Sequence, residues 1–299
     1  MRISTALATQ RPFFSFEFFP PKDDAGSRQL FETIAALAPL RPAFVSITYG
    51  AGGSTRTRTV ALAKQIQQEI GLTVVAHVTC VGADRSALRD LFDDLARSGI
   101  ENVLALRGDP PPGAPFVPAP GGFAHADELI AMLRRNYSFC IGAACYPEKH
   151  PEAASVEDDL RHLKAKAAAG ADFLVSQLFF DNEQFLRFAR QAQASGVDVP
   201  ILPGLMPITN FGQIQRFVAM CGATIPPKLR VEMEARKDDT KSVEDLGVAF
   251  ASMQALELLH AGVPGIHFYT LNRSPATRAI VSALLAASAW RPAFSTTSR

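Results

Sequence analysis

The run Phe13-Phe14-Ser15-Phe16-Glu17-Phe18-Phe19 sets one carboxylate inside an otherwise aromatic stretch, and Pro20 and Pro21 end it. Such a run reads as a strand. Period-two alternation puts Phe14, Phe16 and Phe18 on one face and Phe13, Ser15, Glu17 and Phe19 on the other. Aromatic residues on both faces describe a strand buried on both sides, as parallel strands in helix-wrapped sheets and barrels are. A carboxylate there is costly, so Glu17 must find a partner or keep its proton through a raised pKa. A proton-bearing Glu is a general acid; a Glu paired with a buried Arg or Lys is a structural element.

Further polar groups recur at the ends of other apolar runs. They are Thr48 and Tyr49, His77 and Thr79, Arg107-Gly108-Asp109, Tyr146 with Glu148, Lys149 and His150, Gln177, and Tyr269 through Asn272 to Arg273. Singly, His77 or Gln177 could be a satisfied core group, and Arg107 could simply pair with Asp109. Recurrence at the same kind of position points to a shared site. Donors, acceptors, rings and the cations Lys149, Lys164 and Lys166, with no metal set, suit a large flat heteroaromatic cofactor carrying a diphosphate. The loop Gly50 to Thr55 precedes a helix and could cradle phosphate through its amides. It lacks the third glycine of the dinucleotide fingerprint, so a flexible loop is an equal reading. Lys164 and Lys166 could equally be a solvated helix face.

The positioning elements follow from hydrophobic period. Strands are predicted at Phe13 to Phe19, Phe44 to Tyr49, Thr73 to Cys80, Asn102 to Leu106, Phe139 to Cys145, Phe173 to Leu178, Pro200 to Leu205 and Gly265 to Tyr269. A helix follows each. Strict alternation of eight pairs implies a parallel sheet, and the count fits an α/β single-domain (β/α)₈ barrel spanning residues 1–299. Residues 225–241 read as a charged excursion between strands seven and eight. In such barrels the chemistry lies at the strand C-termini, where these polar groups fall.

Composition narrows the function classes. Thirty Lys and Arg against 29 Asp and Glu give a formal charge of +1, so no field gathers nucleic acid. Four cysteines, Cys80, Cys140, Cys145 and Cys221, form no metal-ligand spacing, which reads as a reduced, cytoplasmic chain without a bound metal. No run reaches the roughly 18 apolar residues of a membrane span, and no signal peptide is evident. Small-molecule substrates are expected, with a homo-oligomer possible and no membrane partner.

The chain resembles the methylenetetrahydrofolate reductase family. The likeness rests on Ser15 to Pro21, Ala105-Leu106-Arg107-Gly108-Asp109-Pro110, Tyr146-Pro147-Glu148-Lys149-His150-Pro151-Glu152-Ala153, Gln177-Leu178-Phe179-Phe180 and His267 to Arg273, in family order over nearly the whole chain. The resemblance implies a (β/α)₈ barrel with non-covalent FAD and a ping-pong reduction of 5,10-methylenetetrahydrofolate by NADH or NADPH. It implies Glu17 as general acid and Asp109 as a carboxylate facing flavin and folate. By the same likeness Thr48, Tyr49, Ala51, His77, Arg107, Gly108, Asp109, Ala126, Tyr146, His150, Ala153, Asp159, His162 and Lys166 are cofactor positions, with Thr48 near the nicotinamide. Glu17, Asp109, Gln177, Gln213, Tyr269 and Arg273 are substrate positions, Gln177 serving both substrates. Ala165 stands where some members carry a basic side chain. Some members also carry a regulatory domain, which this chain is not expected to have.

The rival readings are another barrel flavoenzyme of the proline dehydrogenase-like type, a flavin-free pterin-binding methyltransferase barrel, and a non-catalytic folate-binding barrel. A yellow protein that bleaches anaerobically with NADH or NADPH excludes the last two.

Overall fold

The structure is a computed structural model, and it describes residues 1–9, 12–49, 56–110 and 115–287. Strands β1 (Phe13–Phe18), β2 (Phe44–Ile47), β3 (Val74–Thr79), β4 (Asn102–Leu106), β5 (Cys140–Cys145) and β6 (Phe173–Ser176) follow the predicted order. The seventh predicted strand is split. Pro203 has no N–H to give the ladder, and it separates β7 (Ile201–Leu202) from β8 (Gly204–Leu205), after which β9 (Gly265–Tyr269) completes the sheet. Every pairing is parallel, in the order β7-β6-β5-β4-β3-β2-β1-β9-β8. Because β7 and β8 are one chain segment, pairing with β6 on one side and β9 on the other closes the ring into a barrel.

The helices wrap this ring. They are α1 (Ile3–Thr9), α2 (Asp24–Leu37), α3 (Arg56–Gln65), α4 (Arg85–Arg97), α5 (Ala126–Asn136), α6 (Val156–Ala168), α7 (Asn182–Ala194), α8 (Phe211–Cys221), α9 (Pro227–Glu234), α10 (Thr240–His260) and α11 (Pro275–Ala287). Short polar side chains start several of them. Asp84 accepts from Ala87 N, Ser155 from Asp158 N and Asn210 from Gln213 N, each satisfying an orphan first-turn donor. Two helices lie outside the predicted set. α9 falls inside the predicted excursion, which is therefore partly helical, and α1 precedes the first strand.

Alternation in β1 divides the core. Phe14, Phe16 and Phe18 pack outward with α2 residues Leu30, Ile34 and Leu37, in the layer between strands and helices. Phe13 points inward with Phe44, Val75, Leu104, Cys140, Phe173 and Leu202, where Ile3, Ala6 and Leu7 of α1 join them. The floor of the barrel is thus apolar and plugged by α1. Ile3 N anchors the plug to Asn102 Oδ1 at 2.9 Å. No described helix is long and apolar enough to cross a membrane.

Closure depends on a close approach at Gly204. A Cβ there would stand 2.3 Å from the Ser176 carbonyl oxygen and 2.6 Å from the Tyr269 ring. Gly204→Ala must push β8 away from its neighbours, and overpacking of this kind costs about 1 to 3 kcal/mol. Thermal unfolding of this variant is expected to show a midpoint several degrees lower, and an unchanged midpoint would mean the seam is looser than described.

Candidate active site

Above the apolar floor the barrel axis turns polar. β1 brings Ser15 and Glu17 inward, β2 brings Ser46, β3 brings His77 and β9 brings His267 and Tyr269. Parallel register sets Glu17 beside Ser46 on one side and Tyr269 on the other, and Ser15 beside His267. Glu17 Oε2 lies 3.4 Å from His267 Nε2, 3.5 Å from His77 Nε2 and 3.5 Å from Ser46 Oγ. His267 Nδ1 and Ser15 Oγ are 2.8 Å apart, and the His267 ring stacks on Phe44 at 5.7 Å. The imidazole therefore sits at the boundary between the apolar floor and the polar mouth.

Glu17 is 7% exposed. Burial alone would raise its pKa, but the His267 hydrogen bond and the charges of His77 and His267 outweigh burial and lower it. Of the two alternatives read from the sequence, a partner or a raised pKa, the structure takes the first, with imidazoles and Ser46 as the partners in place of an Arg or Lys. His77 behaves oppositely. Burial pulls it down to about 4, against the pull of the Glu17 carboxylate.

A cavity of about 270 Å³ opens beside this centre, at the C-terminal ends of β4 and β5 and against α5 and α6. Ten of the predicted positions line it. Arg107, Gly108 and Asp109 come from the end of β4, Ala126 from the start of α5, and Tyr146, His150 and Ala153 from the segment after β5. Asp159, His162 and Lys166 come from α6. Gly108 has φ 84° and packs so closely on Thr79 and Val81 that a Cβ would meet them at 2.8 and 2.6 Å. Only glycine fits there.

Arg107 is held from two sides. Its Nη1 and Nη2 donate to the Glu152 carboxylate at 2.5 and 2.9 Å, and its Cζ lies 4.7 Å from the Phe116 ring centroid. The Glu152 hydrogen bond raises the Arg107 pKa, and the same bond lowers that of Glu152. Lys166 Nζ donates to the Ala144 carbonyl at 2.6 Å, and burial lowers its pKa despite Cys145, Asp159 and Asp127 nearby. Tyr146 meets His150 edge-on at 4.6 Å, and its phenol is pushed up by burial.

The remaining predicted positions fall elsewhere. His77 stands at the Glu17 centre, while Thr48 and Tyr49 follow β2 and do not line the cavity. Ala51 and the rest of the Gly50 to Thr55 loop lie outside the described residues. Tyr269 and Arg273 line a second cavity, of about 190 Å³, with Thr240 and Glu244. Tyr269 Oη donates to Ser176 O at 2.6 Å. Gln177 accepts from Leu178 N through its own side chain, and Gln213 sits in the first turn of α8; neither lines a described cavity. Among the described residues, no cluster of His, Cys, Asp and Glu could hold a metal ion. The sequence reading did not single out His267, Ser46, His125 or Asp127 as site residues. His267 was legible, since Gly265, His267 and Tyr269 share the inward face of β9.

Two buried polar atoms of β3, His77 Nε2 and Thr79 Oγ1, have no hydrogen-bond partner among the described residues. Orphans of this kind at the mouth of a barrel are what a bound polar ring would pair with. The cavity offers a flat cofactor the Tyr146 ring, the N–H donors of Arg107 and Lys166, already engaged by Glu152 and the Ala144 carbonyl, and a glycine that lets backbone approach.

The methylenetetrahydrofolate reductase family model matches residues 2–285. The chain is 39% identical over 272 residues to a 5,10-methylenetetrahydrofolate reductase of Pectobacterium carotovorum, covering 90% of this chain and 89% of the relative. It is 38% identical to that of Escherichia coli over 270 residues, 90% of each chain. A methylenetetrahydrofolate reductase (NADH) of Arabidopsis thaliana is 40% identical over 283 residues, 91% of this chain but 48% of the relative. The chain thus spans about half the length of the plant relative and nine tenths of the bacterial ones. Among solved structures, a Clostridium thermocellum protein described as binding two copies of 5-methyl-5,6,7,8-tetrahydrofolic acid superposes with a TM-score of 0.64 at 14% identity. It covers 94% of this chain and 96% of its own, and shows the fold alone.

The His77 environment has a consequence for stability. Its pKa is about 4 folded against 6.5 unfolded, so its contribution to stability is complete above pH 6.5 and is lost as pH falls toward 4. Glu17, whose pKa is lowered from 4.5, adds its own loss only below that value. Denaturant titrations at pH 7 and 4.5 are expected to give His77→Gln a fall in unfolding free energy smaller than the parent's by on the order of 2 kcal/mol. Equal falls would mean that the imidazole is protonated in the folded chain.

Proposed function

The chain belongs to the methylenetetrahydrofolate reductase family, and on that premise we propose that it reduces 5,10-methylenetetrahydrofolate to 5-methyltetrahydrofolate, using NADH or NADPH and non-covalent FAD. The observation that carries the reading is the buried Glu17 carboxylate, ringed by His77, His267 and Ser46 at the barrel mouth, with a cavity lined by ten of the predicted positions at the ends of β4 and β5. When bound, FAD would supply the two-electron hydride chemistry linking the nicotinamide to the folate in alternate turns.

The protein's own share is binding, orientation and proton transfer. Arg107, Gly108, Ala126, Tyr146, His150, Ala153, Asp159, His162 and Lys166 hold the cofactor, with Tyr49, Ala51 and His77 completing the set. Thr48 and Gln177 orient the nicotinamide. Gln177, Gln213, Tyr269 and Arg273 orient the folate, and Asp109 faces both rings. Glu17 protonates the leaving nitrogen as the five-membered ring opens to an iminium, a step for which a placed acid contributes typically 10²- to 10⁴-fold. The Glu17 proton must arrive with the ligand, since the free chain favours the anion.

In anaerobic stopped flow, Glu17→Gln is expected to keep nicotinamide-driven bleaching of the flavin and to lose reoxidation by methylenetetrahydrofolate by at least about 100-fold. Equal damage to both halves would remove Glu17 from the acid role. Product formation that requires both substrates bound together would exclude the alternating scheme. A protein that never retains flavin would favour a flavin-free barrel. Asp109→Asn removes a negative charge from the cavity wall and is expected to raise the flavin potential by roughly 30 mV, about 1.4 kcal/mol for two electrons, and to weaken folate binding. Spectroelectrochemistry checks the first effect and equilibrium titration the second.

A further inference from the structure

The Glu17 side chain is loosely held by its own contacts. Its Oε2 takes hydrogen bonds from His267 at 3.4 Å and Ser46 at 3.5 Å, the outer limit of hydrogen bonding, with His77 Nε2 at ion-pair distance, 3.5 Å. Its backbone is gripped far more tightly. Thr270 Oγ1 donates to the Glu17 carbonyl at 2.6 Å, and Thr270 N approaches the same oxygen at 3.4 Å. Two residues on, Asn272 closes around Phe19: its Oδ1 accepts from Phe19 N at 2.8 Å and its Nδ2 donates to Phe19 O at 2.9 Å.

This grip begins where the sheet stops. Glu17 opposite Tyr269 is the last register pair between β1 and β9, and Pro20 and Pro21 follow with no N–H. The side-chain amide of Asn272 stands in for the missing strand. To bring it there, Leu271 and Asn272 both adopt the left-handed region, at φ 52° and 57°. Successive non-glycine residues seldom do this, and such strain persists only when surrounding contacts hold it. Here Asn272 N donates to Thr270 Oγ1 at 3.2 Å and Thr33 Oγ1 to Asn272 O at 3.2 Å, while Thr270 is 5% exposed.

We propose that Thr270, with Asn272 as the second hold, is a positioning residue that fixes the backbone on either side of Glu17 and so aims its carboxylate at His77, His267 and the mouth. The catalytic consequence rests on Glu17 being the acid; the geometric claim does not.

Thr270→Val removes the hydroxyl at nearly constant shape, and Thr270→Ser keeps it. In the apo chain carrying ¹³C at the glutamate carboxyl, the Glu17 resonance, identified by its loss in Glu17→Gln, is expected to titrate higher in the Val variant and as in the parent in the Ser variant. In flavin-loaded enzyme, the Val variant is expected to slow methylenetetrahydrofolate-driven reoxidation about tenfold or more while nicotinamide-driven reduction stays within about twofold, and Ser to restore the rate. An unmoved titration overturns the proposal, as does a Ser variant that behaves like Val. A moved titration with both half-reactions equally slowed leaves the positioning role standing and overturns the acid role. If the Val variant does not fold, Asn272→Asp takes its place: it keeps the acceptor for Phe19 N and loses the donor to Phe19 O. The same upward titration shift is expected, and its absence overturns the proposal.

Discussion

A carboxylate lodged on the axis of a closed barrel is the constraint from which the rest of this architecture follows. Moving an ion of this kind from water into protein costs several kcal/mol even after relaxation, so neighbouring strands must supply polar partners. Register decides which ones can. Ser46 lies directly opposite Glu17 on β2, His267 lies one inward step below on β9, and His77 reaches across from β3. These inward positions are closed to aliphatic side chains, and the apolar packing they would have supplied moves elsewhere. Below them the floor is unusually aromatic, with Phe13, Phe44 and Phe173 tilted against one another at 6.1 to 6.3 Å, and α1 seals it. The barrel is thereby split along its axis into a dry half that holds it together and a polar half that can do chemistry.

The cavity near Glu17 obeys a different electrostatic logic. Asp109, Asp127, Glu152, Asp158 and Asp159 line it against the two cations Arg107 and Lys166. A wall with more carboxylates than cations does not draw an anionic arm in by charge. Both cations are also already engaged, Arg107 by Glu152 and Lys166 by the Ala144 carbonyl. The Arg107–Glu152 pair is more than half exposed on its acidic side and contributes little to stability by itself, at most about 1 kcal/mol. Its effect is directional: a bidentate clamp with the Phe116 ring on one face leaves the guanidinium one orientation instead of many. Selectivity in this cavity therefore comes from shape and aimed donors, with net charge working against it.

Much of this was legible in the residues. The period-two reading of β1 assigned its two faces as they stand, because a strand buried on both sides leaves no competing pattern. Of the ten predicted residues that line the cavity, Arg107, Gly108, Asp109, Tyr146, His150 and Lys166 stand out in the sequence as polar groups at strand ends or as cations, whereas Ala126, Ala153, Asp159 and His162 come only from the family resemblance. Two kinds of feature escaped. Partners supplied by tertiary register, such as His267 for Glu17, depend on which strands are neighbours, and pairing β9 with β1 across some 250 positions is fixed by closure. Irregularities set by one residue also escaped: Pro203 splits the seventh strand, and α1 and α9 carry too few periodic residues to be read as helices. The second helix is only eight residues long, below the length at which hydrophobic period separates helix from loop. Gln177 and Gln213 show the limit of motif reasoning from the other side, since neither lines a cavity and Gln177 is bonded to the next residue's backbone.

The lowered pKa of Glu17 bears on how an acid can act from this position. Burial is the largest single influence on the group and opposes ionisation; the imidazoles and Ser46 reverse the sign together. A balance of large opposed effects is sensitive to any change in one of them. A flat ligand that covered the mouth would remove the remaining water and so enlarge the desolvation penalty, while a polar edge bonded to His77 Nε2 would draw that imidazole away from its 3.5 Å contact with Glu17. Both changes act in the same direction, raising the affinity of Glu17 for a proton. His267 contacts Glu17 through Nε2 and Ser15 through Nδ1, at the edge of the apolar floor. The residues that offset burial and keep the carboxylate ionised with the mouth open are thus the ones whose balance a covering ligand would shift.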